Sequence, residues 1–400
     1  MNQTRKSTLP SPDYAAAGDF LRVLSILLVA WFHIWQQSWL FPTFRLGRLT
    51  LDLTPPVRAG YMLVDLMLML SGFLLYLPYA NAREHSTREF FTRRALRILP
   101  SYWFCLLVML SFALLEPGFS RGGDLLRDLL AHLSFTHNLF QVSTAMTRLN
   151  GVLWTLAVEV QFYLLLPLLA PLFRKYPLPA YVLLAGTAFF LRSLLSASVE
   201  DTTMFVNRLP VMLDVYANGM LAAHVYARLA ARQAHRMTVS VVSTLLCVAA
   251  LWGIFRVLAA QAGLYGGEEI RRGQFAHRWL LSFCGAVFLA SGSLAARPLR
   301  ALFSNRLVRF LSGISYNFYI WHQWLAVKLK VWRLPPYRAA ANPNMEGEQP
   351  WQLQYTLACF LGAFVLAVLV TYLVEKPCAK WGRRLLERGN REAAASFDRA

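Results

Sequence analysis

Carboxylates are scarce in this sequence: 21 Asp and Glu stand against 40 Lys and Arg, and charged residues of both signs make up only 15% of its 400 residues. A soluble domain of this length carries roughly 25% charged residues, so a water-soluble globule does not describe the chain. Cysteine is sparse as well. Cys105, Cys247, Cys284, Cys359 and Cys378 form no CxxC pair, and all but Cys378 lie in apolar runs. That excludes a disulfide framework and leaves no metal-ligand spacing, so the thiols read as small packing hydrophobes. No internal repeat is evident, and no convincing cleavage site follows the first apolar run, which contains Arg22 and His33. A retained first helix is expected there, not a signal peptide.

What is present in abundance is apolar: 56% of residues are hydrophobic. A helix needs about 20 mostly apolar residues to cross a bilayer core. Such runs lie near 20–41, 60–80, 100–116, 151–173, 178–197, 205–226, 238–260, 277–296, 307–332 and 353–375. The sequence therefore predicts an all-α, multi-pass membrane protein of about ten transmembrane helices. A cytoplasmic tail is expected over 1–19, the membrane domain over 20–376 and a basic cytoplasmic tail over 377–400.

Orientation follows from the bases between the runs. With the N-terminus inside, the cytoplasmic loops hold Arg83, Arg88, Arg93, Arg94 and Arg97, then Arg174 and Lys175, then Arg228, Arg232 and Arg236, then Arg297, Arg300, Arg306 and Arg309. Arg271, Arg272, Lys328 and Lys330 fall on the opposite side, against the rule. The net charge of +19 fits this topology and contact with anionic lipid, and its clustering between apolar spans argues against nucleic acid. Residues 124–133 place Leu125, Leu126, Leu129, Leu130 and Leu133 on one face, which predicts an interfacial helix on the outer surface. The Pro-rich segment 334–352 reads as an external connection.

Ionisable residues inside apolar spans cost at least about 2.5–3.5 kcal/mol each on insertion scales, so each needs a partner, an aqueous cavity or a chemical role. Arg22 and His33 are eleven residues apart, hence about 16 Å along a helix axis and within about 20° of one face. That spacing lets both line one groove; taken singly, a snorkelling Arg and a satisfied core His fit equally. Asp65 must find a cation or stay protonated, and an Arg on a neighbouring helix would serve. Ser71 and Gly72 permit close helix approach. Arg93, Arg94 and Arg97 suit a multiply charged phosphate ligand, or simply obey positive-inside placement. Glu159 and Tyr163 are one turn apart; Glu159 can act as acid or base, or orient a histidine. Tyr319 and His322 are a turn apart among tryptophans, where an interfacial belt is the plainer reading. Asp214 and His224 are weaker candidates, and His132, His137, His235 and His277 read as loop or boundary residues.

Together these segments resemble the acyltransferase-3 family of integral membrane O-acyltransferases, which modify bacterial surface glycans. The resemblance rests on Arg22-x10-His33, VDLMLMLSGFLL, FFTRRALRILPSYW, LWTLAVEVQFYLLLP, ISYNFYIWH and the closing Glu375-Lys376-Pro377, in the family's order along nearly the whole chain. LMLML replaces the usual paired Phe after Asp65, and Val160 stands where a second Glu is common. The resemblance implies a cytoplasmic acyl-CoA donor, acetyl-CoA first among them, no metal, and a surface or lipid-linked carbohydrate acceptor met at the outer side of the cell membrane. It carries function onto Arg22 and His33, onto Arg94 and Arg97, and onto Trp154 and Glu159. The expected catalytic set is His33, Glu159 and Asp65; Arg22, Arg94 and Arg97 would hold CoA; Trp154, Tyr163, Tyr319 and His322 would meet substrate. Two other readings stay open: acylation of a small natural product or lipid, and a proton-coupled transporter.

Overall fold

The structure is a computed structural model, described for residues 13–81, 86–115, 122–231, 236–338, 342–345, 347, 349–382 and 384. Among them the apolar runs form ten long helices: α1 (Asp13–Ser38), α2 (Val64–Ala80), α3 (Thr87–Leu115), α4 (Trp154–Lys175), α5 (Pro177–Ser198), α6 (Leu213–Ala231), α7 (Arg236–Ala262), α8 (Gly267–Gly292), α9 (Arg306–Val331) and α10 (Gln349–Val370). Seven helices are long and apolar enough to cross a membrane alone. An eighth qualifies if α8 is joined to the short helix Arg297–Phe303, bent from it by 117°. The fold is all-α and polytopic, as the sequence predicts.

Helix α1 packs against α9 and α8, and α2 is held tightly by α6. Two glycines explain the α2–α6 approach. A Cβ on Gly72 would stand 2.6 Å from the Tyr216 carbonyl oxygen, and one on Gly219 would stand 2.0 Å from that of Met69. Both distances are shorter than any side chain tolerates, so backbone meets backbone there, as in small-residue membrane interfaces.

Two ion pairs lie inside the bundle. Asp65 on α2 accepts from Nε of Arg278 on α8 at 3.0 Å, and both residues are buried. Asp214 on α6 takes a two-pronged contact from Arg192 on α5, at 3.0 and 2.6 Å. Each guanidinium also donates to a backbone carbonyl, Arg278 to Val206 and Arg192 to Val211. Apolar surroundings require such pairing. On the surface, Arg271 and Arg272, which break the positive-inside pattern, are neutralised by Glu268 and Asp201. Lys330 donates to the Gln37 carbonyl and to Asn344.

Four details depart from the sequence expectation. Residues 13–19 belong to α1, not to a tail. The last helix continues through a π-turn at Thr371–Glu375 as far as Gly382, so the expected C-terminal tail starts as helix. A two-stranded antiparallel hairpin, β1 (Thr43–Leu46) and β2 (Leu49–Asp52), interrupts the all-α plan, with Phe44 opposite Leu51. It turns at Gly47, whose φ of +62° is costly for any residue with a Cβ. The amphipathic helix forms at Gly122–Leu133. Its inward face is mixed: Asp128, Ala131 and His132 are enclosed and Leu125 and Leu129 half-buried, while Leu126, Leu130 and Leu133 are exposed. Leucines turned outward suit a helix lying in the interface. His132 stacks on His137 at 4.0 Å, so both are core residues rather than loop ones. The expectations at 1–12, Arg83, Arg232, His235, Arg383, Arg388 and Arg391 lie outside the described residues, as does part of the 334–352 connection.

Candidate active site

The site is built chiefly by α1, α2, α3, α4, α7, α8 and α9, and it has two chambers. The first opens toward the α1 end that carries Arg22. It is a cavity of about 100 Å³ lined by Arg22, Ser71, Arg94, Arg97, Glu159, Tyr163, Tyr316 and Tyr319 among others. The second lies toward the opposite end of α1. It measures about 350 Å³, and its walls include His33, Trp35, Arg58, Tyr61, Trp154 and Tyr319. Val64 and Tyr319 line both, so one side chain from α2 and one from α9 form the partition between them. The eleven-residue spacing on α1 thus places Arg22 in one chamber and His33 in the other.

In the first chamber the arginines are arranged by their neighbours. Arg22 donates to the Ser312 hydroxyl at 3.2 Å, and Ser312 donates to Asp19. Arg94 lies 5.8 Å from the Tyr163 ring and 6.0 Å from the Phe90 ring. Arg93, grouped with them in the sequence, is exposed and paired with Glu89 on its own helix. Glu159 accepts from Ser71 at 2.9 Å and from the Tyr163 hydroxyl. It therefore faces the arginines, not the imidazole it was expected to orient. The two hydroxyl donors hold its carboxylate in place one turn below the partition.

On the wall of the second chamber His33 from α1 approaches His322 from α9, which does not itself line the chamber, with ring centres 5.3 Å apart. His322 is fully buried. Its Nδ1 lies 2.5 Å from the Tyr319 carbonyl oxygen. A carbonyl can only accept, so the proton is on Nδ1 and Nε2 carries the lone pair. That Nε2 is buried and has no hydrogen-bond partner. His33 Nδ1 lies 3.0 Å from Gln36 Oε1 and 3.1 Å from Gln323 Nε2. That nitrogen can donate to the Gln36 oxygen or accept from the Gln323 amide, so the two glutamines hold the ring in either tautomer. An imidazole held in this way on a chamber wall suits proton abstraction or nucleophilic attack.

Tyr319, expected to meet substrate, anchors itself by donating to the Val152 carbonyl at 3.0 Å. Trp154 begins α4 on the wall of the second chamber, after Asn150 caps the preceding turn by accepting from Val152 N–H. Asp65 lines neither chamber. Its carboxylate is held by Arg278, which corrects the expectation that it orients the histidine. Asp214 and His224 likewise stand apart: Asp214 is paired with Arg192, and His224 lies 3.4 Å from the Tyr76 hydroxyl. Sequence reasoning missed Ser71, Thr155 and Tyr316 in the first chamber, and Arg58, Tyr61, Asn207, Gln261 and Gln274 in the second. Most of the latter sit on short or terminal segments with no periodic signal. Gln323, adjacent to His322, was detectable as a second polar group in the same apolar run.

Comparison with known proteins identifies the family. The family described as an acyltransferase domain matches residues 16–375. The O-acetyltransferase OatA of Staphylococcus aureus is 22% identical over 340 residues, covering 80% of this chain and 51% of that protein. The peptidoglycan O-acetyltransferase OatA of Listeria monocytogenes is 22% identical over 406 residues, covering 94% and 58%. Nodulation protein 10 of Rhizobium leguminosarum is 30% identical over 172 residues, covering 40% and 45%. The chain thus spans about half the length of the curated relatives it matches. No solved structure matches it.

Proposed function

Starting from the fact that this chain belongs to the acyltransferase domain family, we propose that it transfers an acyl group, acetyl first among them, from acyl-CoA to a carbohydrate hydroxyl. The observation that carries this reading is the pair of chambers meeting at Val64 and Tyr319, one lined by three arginines and the other by His33, whose ring centre lies 5.3 Å from that of His322. Arg94 and Arg97 bind the CoA phosphates from the cytoplasmic side, with Arg22 deeper. The pantetheine arm passes the Tyr319 partition and presents the thioester to the second chamber. The names of the relatives, O-acetyltransferases and in Listeria a peptidoglycan O-acetyltransferase, favour an acetyl group and a cell-envelope glycan.

In the simplest sequence, Nε2 of His33 removes the acceptor hydroxyl proton as the oxygen attacks the thioester carbonyl. The tetrahedral intermediate collapses with cleavage of the C–S bond. The sulfur leaves as thiolate and takes the proton back from the imidazolium, giving ester and CoA. A two-step variant passes through an acyl-imidazole on His33, with the same net balance. Gln36 and Gln323 hold the ring; Glu159, on the donor side, fixes Tyr163 and Ser71 rather than the histidine.

The test is CoA release by the full chain in proteoliposomes, with acetyl-CoA and candidate glycans. Conversion of His33 to Ala should lower turnover by about 10²–10⁴-fold, the range for a lost acid–base group, while the protein still inserts. Wild-type turnover in that variant removes His33 from the mechanism. No CoA release with any acyl-CoA, alongside movement of protons across the membrane, would favour a transporter.

A further inference from the structure

The second chamber contains one formal charge, and nothing in the transfer chemistry above uses it. Arg58 closes the short helix Thr54–Arg58, which begins with two prolines and follows the β1–β2 hairpin. Its guanidinium lies 4.7 Å from the Tyr265 ring and 5.9 Å from the Trp35 ring, and Nη1 donates to the Tyr265 hydroxyl at 3.1 Å. Among the described residues no carboxylate pairs with it, whereas Arg22, Arg192, Arg271, Arg272 and Arg278 all have one. None of the described residues lining the chamber is Asp or Glu.

The remaining wall is rich in donors. Trp35 lines it with a buried indole N–H that has no partner. Gln36 and Gln274 add amides. A guanidinium in a chamber whose described lining has no acid is matched by an oxyanion: Arg offers paired donors in the plane that a carboxylate or phosphate accepts. A neutral sugar would leave that cation without a counter-charge in a half-enclosed aromatic setting. The volume of about 350 Å³ is within the range of small-ligand sites.

Resting on the assignment of this chamber to the acceptor, we propose that the acceptor is acidic, and that Arg58 binds its oxyanion while His33 addresses a hydroxyl of the same molecule. The oxyanion is either a carboxylate on the sugar or a phosphate linking the sugar to its carrier.

The test needs no turnover. The purified full chain, in nanodiscs, is titrated with methyl glucuronide, with its neutral counterpart methyl glucoside, and with glucose 1-phosphate, using saturation-transfer NMR. At least one anionic probe should bind about tenfold more tightly than the glucoside, a margin ordinary for one charge-assisted contact. Arg58→Gln should bring that ratio near one, and Arg58→Lys should retain part of it. A preference for the glucuronide points to an acidic sugar; a preference for the phosphate points to a phosphate-linked one. Equal binding of all three probes, binding of none, or an unchanged ratio in Arg58→Gln overturns the proposal. Should Arg58→Gln fail to fold, the wild-type ratio and the Lys variant still decide it. An intact ratio in a protein that releases no CoA would instead sink the transfer reading and leave the anion site standing.

Discussion

The buried pair of Asp65 and Arg278 allows a decisive separation of structure from chemistry. Replacing Arg278 with Met leaves a carboxylate enclosed on α2, where it is 2% exposed. Breaking a buried pair on one side costs about 3–5 kcal/mol. The same change strands the Val206 carbonyl, which Arg278 now satisfies at 2.8 Å, at about 1–3 kcal/mol more. The single variant should therefore be strongly destabilised. Replacing both residues, Asp65 with Leu and Arg278 with Met, removes the uncompensated charge and restores apolar packing, which is often neutral or favourable. Only the carbonyl penalty remains, so the double variant should recover all but about 1–3 kcal/mol. The measurement is thermal melting of the detergent-purified protein, with CoA release on the same samples. Recovery of both stability and turnover is expected. A double variant that melts like wild type but has lost turnover as completely as His33→Ala would show that Asp65 takes part in the chemistry. An undamaged Arg278→Met protein would show that the pair contributes little.

Further outcomes follow from the same geometry. Arg94→Gln with Arg97→Gln should raise the KM for acyl-CoA at least tenfold, each lost charge-assisted contact being worth about 1.5–3 kcal/mol, with little change in acceptor KM; an unchanged donor KM in initial-rate kinetics would move the CoA site elsewhere. Gly219→Ala places a methyl 2.0 Å from the Met69 carbonyl oxygen; α2 and α6 must separate, and the melting midpoint should fall by several degrees, whereas Gly186→Ala, where a Cβ meets nothing within 4 Å, should not. His137 lies between α3 and α4, outside the spans. Burial and the stacked His132 push its pKa down from 6.5 to about 3. A depressed histidine pKa means that protons bind the unfolded chain first. The stabilising effect is then fully present above pH 6.5 and declines as pH falls toward 3, by about 2 kcal/mol between pH 6.5 and 5. His137→Asn should flatten the melting-versus-pH curve over that interval; an unaltered slope assigns the acid sensitivity to other groups.

The ten apolar runs were legible because membrane helices announce themselves by length and composition. The Arg22–His33 alignment was legible because helix geometry alone fixes the angle between residues eleven apart. Partners across the chain were not. Arg278 is 213 residues from Asp65, and no periodicity links α8 to α2. Yet a weaker signal was present. Arg192 in LLAGTAFFLRSLL and Arg278 in FAHRWLLSF stand in runs as apolar as those of Asp214 and Asp65. In a low-dielectric interior, charges of opposite sign seek each other because neither is tolerated alone. Balancing buried acids against buried bases would have moved Asp65 from the catalytic list, and Asp214 from the weaker candidates, to a structural role. Among the described residues, the polar groups left over include His33, His322, Arg94, Arg97 and Arg58, which that balance does not pair within the bundle. In a hydrocarbon environment, a polar group that the fold leaves uncompensated is retained for something the fold does not supply. On the proposed function, that is a phosphate-bearing donor for the arginines and a hydroxyl proton for the imidazoles, and on the proposed acceptor it is an oxyanion for Arg58.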